Sequence, residues 1–345
     1  MLALAITVST SVNASEAQAV PTPVKGDPSA FEGNGQWIWL VNKSGGTGEK
    51  IAEIAKKYNL DTVFVKSGDG TDHWEQFADV VEPIKRAGIK VCAWQYIYGS
   101  SPATEARVAA RSIREGADCF VINAEVEFKR AGGWKAARKF MTTLRRSVGF
   151  DYPIGMTSFA WVHYHTNFPY SAFFYGKYGA QVDMPQVYWR AFGTSVANAV
   201  SNTYKWNNIY GRPIAPLGQT YMSPPASQIE QFRCQAASFG GTGVSYWAWQ
   251  NTNTSQWKSI GKDLSCAKNP AQAFRVFPNL GTGSSGDPAR WLQLKLRDAG
   301  QKVSVTGTFG SQTKAAVKAF QTARGLTVNG VADTDTWRAL LGLDK

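Results

Sequence analysis

At the end of the apolar run 118–125 (DCFVINAE) the spacing of three residues suggests chemistry, because Asn123, Glu125 and Glu127 recur at every second position. In an extended strand that spacing puts all three on one face. A carboxyl pressed among aromatic rings has its charged form disfavoured, so its pKa rises toward the range of a general acid at neutral pH. Rings are plentiful, with 13 Trp, 13 Tyr and 18 Phe. Trp94, Tyr96, Trp161, Trp189, Tyr221 and Trp249 fall near the ends of apolar runs, where they can stack on sugar faces or serve only as packing. Gln219 is a further candidate for a substrate contact. Lys66 closes another run, and a competing reading of Glu125 is an ion pair with Lys66. Asp69 is a second acidic position, but in the SGDG run a turn residue is the plainer account. His163-x-His165 can align two imidazoles; with no third ligand in view, no metal is expected.

These residues need a frame that brings strand ends together. Runs rich in β-branched and aromatic residues occur at 36–41 (QWIWLV), 61–66 (DTVFVK), 89–96 (IKVCAWQY), 118–125, 153–159 (PIGMTSF), 184–189 (MPQVYW), 213–220 (PIAPLGQT) and 243–249 (GVSYWAW). Their starts lie 25 to 35 residues apart, about one βαβ unit. Segments of helical period lie between them, such as 49–58 (EKIAEIAKKY) and 103–115 (ATEARVAARSIRE). Eight such units over residues 35–268 predict an α/β fold, a (β/α)8 TIM-type barrel, whose catalytic groups sit at the C-terminal ends of strands. That places Glu125 at the mouth with Asn123 one layer below. No G-x-G-x-x-G follows the first strand and no P-loop occurs, so no nucleotide cofactor is expected.

Residues 269–288 form the predicted connection, in which GTGSSG has the composition of a flexible linker. Residues 289–345 predict a small all-α three-helix domain that resembles the peptidoglycan-binding module of bacterial cell-wall enzymes. The match runs from Leu292-Gln293, Leu296 and Gly300 through Gly307-x-Phe309-Gly310-x-x-Thr313, Ala316-Val317 and Phe320-Gln321. It closes with Gly325-Leu326, Asn329-Gly330 and Thr336-Trp337-x-x-Leu340. Thr313 and Thr336 are expected to cap helices. Asp333 stands where that family commonly has Gly.

The barrel resembles family 18 glycoside hydrolases. Asp118-x-x-Val121-x-Asn123-x-Glu125 is similar to their fourth-strand D-x-x-D-x-D-x-E, Tyr188 matches the Tyr of M-x-Y-D, and Trp247 matches the Trp flooring the sugar site. Val121 and Asn123 replace two aspartates, but family 85 endo-β-N-acetylglucosaminidases use an N-x-E pair in the same place. The resemblance implies Glu125 as acid, Asn123 as orienter of a 2-acetamido group whose oxygen attacks the anomeric carbon, and Tyr188 as its holder. Asn123-x-Glu125 also echoes the D-x-E of family 25 lysozymes, although WIWLVN at 37–42 lacks their first-strand Asp. The expected function is a cell-wall glycosidase cleaving N-acetylated strands of peptidoglycan. The alternatives are a muramidase and a non-catalytic wall-binding barrel.

Composition supports a folded protein, with 43% hydrophobic and 18% charged residues. The net charge of +12 suits anionic cell-wall polymers; no nucleic-acid module accompanies it, and a monomer is expected. No run reaches the roughly 20 apolar residues of a membrane span. Residues 1–19 read as a secretory signal ending in Ala17-Gln18-Ala19, followed by a segment 20–34, so the protein is expected outside the cell or at its wall. Cys234 and Cys266 lie near the ends of the last two barrel helices and are predicted to pair. Cys92 and Cys119 are either a second bridge or two buried thiols.

Overall fold

The computed structural model describes residues 24–266 and 274–343; the expected secretory signal over residues 1–19 lies outside the described residues. The strands are β1 (Gly33–Ile38), β2 (Thr62–Asp69), β3 (Asp72–His73), β4 (Lys90–Ile97), β5 (Cys119–Ala124), β6 (Ile154–Thr157), β7 (Val182–Asp183), β8 (Leu217–Gln219) and β9 (Gly243–Trp247). β3 is a short antiparallel return on β2; the other eight are parallel, in the order β7-β6-β5-β4-β2-β1-β9-β8. The ends of this sheet meet through the bridges Asp183↔Ile214 and Gln186↔Leu217, with the Ala215 amide donating to the Asp183 carbonyl at 2.9 Å. The sheet is therefore a TIM-like barrel. β7 ends at Asp183, before the run 184–189 expected to form this strand, since Pro185 has no N–H with which to continue the ladder.

Helices α1 (Gly48–Lys57), α2 (Gln76–Arg86), α3 (Pro102–Arg114), α4 (Gly133–Val148), α5 (Tyr170–Phe174), α6 (Val196–Asn207), α7 (Ala226–Ser238) and α8 (Thr254–Gly261) form the outer ring. Their faces follow the helical repeat: α4 buries Phe140, Met141, Leu144 and Val148. Local caps set their starts, such as the Thr47 hydroxyl on the Lys50 amide and the reciprocal Asn253–Gln256 pair. Among the described residues no helix is long and apolar enough to cross a membrane.

Inside the barrel, the register Cys92↔Cys119, Trp94↔Val121, Tyr96↔Asn123 turns period two into layers. Trp37, Phe64, Trp94, Val121 and Leu217 fill the middle, and Phe31 packs with them. Cys92 and Cys119 are bridged within this interior, and Cys234 and Cys266 are bridged as well. The lumen is a packed plug, so any site must lie above it.

The C-terminal domain consists of α9 (Asp287–Asp298), α10 (Ser311–Ala323) and α11 (Thr334–Leu341). Leu292, Leu296, Val317, Phe320, Trp337 and Leu340 form its core. Two buried glutamine amides fasten its turns. Gln293 accepts from the Thr306 and Gly307 amides and donates to Thr313, while Gln321 accepts from the Gly330 amide and donates to Thr336. Thr313 and Thr336 thus anchor glutamines, which corrects the capping expectation; the cap of α11 is Asp333. The glycine-rich run also differs from the expected flexible linker. The Gly283 amide donates to the Phe309 carbonyl and the Gly286 amide to that of Gly307, with φ of +95° and +83° at the two glycines. Positive φ in a tight turn and freedom in a tether call for the same residue type, so composition alone could not separate them.

Candidate active site

β5 ends at Ala124, and Glu125 follows at the barrel mouth. From the loop after β7, the Gln186 side-chain amide donates to Glu125 Oε1 at 3.0 Å and to Asn123 Oδ1 at 3.4 Å. Asn123, Glu125, Gln186 and Tyr188 line a cavity of about 640 Å³. Beneath it three indoles touch: the ring centroids of Trp37 and Trp94 are 5.4 Å apart, those of Trp94 and Trp247 5.4 Å, and those of Trp37 and Trp247 6.1 Å. Burial pushes the Glu125 carboxyl above its ordinary range, while the bonds from Gln186 and Asn123 pull it partly back. Among the described residues Glu125 is the only carboxylate lining the cavity.

The walls stand on opposite sides of the mouth. Trp39 follows β1 and Lys66 lies within β2; Phe159, Trp161, Tyr164 and His165 follow β6. Lys66 does not pair with Glu125. Its amine pairs with Asp69, whose second oxygen accepts from the Tyr98 hydroxyl at 2.7 Å, and lies 4.2 Å from the Trp74 ring centroid. Asp69 is therefore an ion-pair partner rather than only a turn residue. Tyr96 lines the cavity and donates its hydroxyl to Glu127 at 2.8 Å, while Glu127 itself lies off the cavity.

Four expected contacts lie off the cavity, Tyr221 among them, with its ring edge-on to that of Tyr188 at 5.3 Å. Tyr188 faces the lumen, so its neighbour Trp189 faces the helices, packed 5.2 Å from Phe232 with its indole donating to Gln228. Trp249 has left the strand and packs 4.8 Å from Trp257. Gln219 is buried and spends its amide on the Arg190 N–H and the Tyr221 carbonyl. Sequence reasoning missed Gln186, although its two-residue offset from Tyr188 is a usable signal. Trp37, Trp39, Phe159 and Phe192 were also missed.

The histidines act as rings. His165 stacks on Phe159 at 4.0 Å and meets the Lys129 amine at 2.6 Å; burial, then Lys129, pulls its pKa down to about 4. His163 stacks on Trp206. Away from the mouth, His73, Glu75 and Glu115 come together, but Arg111 donates to both carboxylates.

Residues 285–340 match the family described as peptidoglycan binding domain. A zinc D-Ala-D-Ala carboxypeptidase from Streptomyces albus G is 39% identical over 67 residues, which are 19% of this chain and 26% of that protein. An uncharacterized protein in the bpoA1 3' region of Kitasatospora aureofaciens is 37% identical over 82 residues, 22% of this chain and 70% of that protein. A peptidoglycan-binding protein from Clostridioides difficile, solved with glutamine hydroxamate, is 31% identical over 20% of this chain and 42% of that one, with a TM-score of 0.19. The chain thus spans about a quarter of the length of the carboxypeptidase it matches.

Proposed function

We propose, for a chain that belongs through residues 285–340 to the peptidoglycan-binding domain family, that the barrel is a glycosidase cleaving N-acetylated glycan strands of the cell wall. One observation carries this reading: a single raised carboxyl, Glu125, beside Asn123 in an aromatic-walled cavity. Cleavage assisted by the substrate's own acetamido group needs one acid and one positioner. Protonated Glu125 gives its proton to the glycosidic oxygen as the C1–O bond breaks. The acetamido oxygen, oriented by Asn123 and Tyr188, closes on C1. Water then opens that ring, returning its proton to Glu125. Gln186 holds the carboxyl toward the cavity, and the three indoles supply an apolar floor for the sugar. Two disulfides suit a site of action outside the cell.

A second reading, a barrel that binds wall polymers without cutting them, is favoured by Val121 and Asn123 at positions where family 18 carries aspartates. Digestion of purified peptidoglycan followed by mass analysis of reducing ends decides. New N-acetylglucosamine ends support the proposal, N-acetylmuramic ends support the muramidase alternative, and an undigested polymer leaves the binding reading.

A further inference from the structure

We infer that the C-terminal module is a docked flank of the barrel, and that Asp287 is the positioning residue through which it holds one rim of the cleft. The barrel's outer ring is incomplete in its fifth unit. α5 has 5 residues where α1 to α4 have 10, 11, 13 and 16, and α9 packs against it. Asp287, the first residue of α9, is buried. Its carboxylate accepts from the Ser171 amide at 2.8 Å, the Ser171 hydroxyl at 2.5 Å and the Tyr210 hydroxyl at 2.9 Å. Its own amide donates to the Thr166 carbonyl at 2.6 Å. Gly286 approaches so closely that a Cβ there would meet the Thr166 carbonyl oxygen at 2.3 Å.

The contact continues along the helix. The Trp291 indole donates to the Ile209 carbonyl and its ring lies 5.4 Å from that of Tyr210; the Tyr175 hydroxyl donates to Asp298 at 2.8 Å. Undocking would strip three donors from a buried carboxylate and expose an indole and two phenol rings, which a mere tether would not require. The barrel residues that Asp287 grips, Thr166 and Ser171, directly follow the segment carrying Phe159, Trp161, Tyr164 and His165. Holding that stretch from outside holds the cleft wall opposite Trp39. The wall-binding surface is consequently set at a fixed angle to the mouth, so a strand held by the module is presented to the cleft. This last consequence rests on the proposed function; the docking does not.

Hydrogen exchange on the full chain tests the docking, with Asp287→Ala and the gentler Tyr210→Phe beside wild type. In wild type the amides of Ser171 and Asp287 should be protected. In Asp287→Ala protection across residues 166–174 should fall about tenfold or more, and less in Tyr210→Phe, while β4, β5 and α10 keep wild-type rates. Wild-type amides that exchange like an open loop, or variants that leave 166–174 unchanged, overturn the inference. If Asp287→Ala does not fold, Tyr210→Phe decides alone by the same criterion. Binding of an N-acetylglucosamine tetramer, by titration calorimetry, reads the positioning role separately. It should weaken in the folded variants while co-sedimentation with peptidoglycan persists; unchanged affinity overturns positioning. A tetramer that does not bind wild type counts against the proposed function and leaves the exchange result standing.

Discussion

Glu125 at the barrel mouth and Asp287 at the junction with the module are both carboxyls that desolvation lifts above the ordinary range, Asp287 to about 6. Their surroundings differ. Glu125 borders an open cavity and is steadied by two side-chain amides. Asp287 is buried, with three donors filling its oxygens, and the cavity its residue borders, about 230 Å³, is the smaller of the two. Asp183 is a third case, wholly buried and raised, with one oxygen lacking any partner. A raised acid therefore reports loss of water and nothing more. What separates a group that can meet a substrate from one that holds two domains together is spare hydrogen-bonding capacity facing open space.

The largest expected effect that sharpens this contrast is at the mouth. Glu125→Gln should lower release of reducing ends by about 10²–10⁴-fold with wall co-sedimentation unchanged; wild-type rates in this variant would break the comparison. At the junction the effect should be on stability and should depend on pH. The folded protein holds the Asp287 proton more tightly than the unfolded chain, so the group stabilises most at low pH. That contribution is lost as pH rises from 3.8 toward about 6, on the order of 3 kcal/mol. The difference in thermal midpoint between wild type and Asp287→Asn should change across that window and be flat above it. Arg290 opposes the shift and belongs in the same titration. Comparable in size but indifferent to pH, loss of the Cys234–Cys266 bridge in the double Cys→Ser variant should cost about 4 kcal/mol in urea unfolding, from a sequence separation of 32. The smallest effect is expected for Glu127→Gln. Its carboxylate serves Tyr96 away from the cavity, so reducing-end release should stay within about twofold of wild type.

Much of the frame is legible without coordinates. Eight apolar runs at near-regular spacing, each with a helical segment behind it, foretell the barrel, because strand and helix periods are local properties of a few neighbouring residues. The same locality puts Asn123 and Glu125 on one face of one strand. Spaced glycines and core positions identify the module, since tight turns and a small core tolerate few residue types. Pairings across the molecule are another matter. Gln186 reaches Glu125 over 61 residues and Asp287 reaches Ser171 over 116. Whether Trp189, Gln219 and Trp249 face substrate or packing depends on where each strand stops relative to its neighbours. Whether a Gly/Ser run is a tether or a turn depends on what lies beside it. Those outcomes were decided by barrel closure and by the fit of α9 against a shortened α5, because register and docking are set by the whole packed assembly and leave no periodic trace in any one segment.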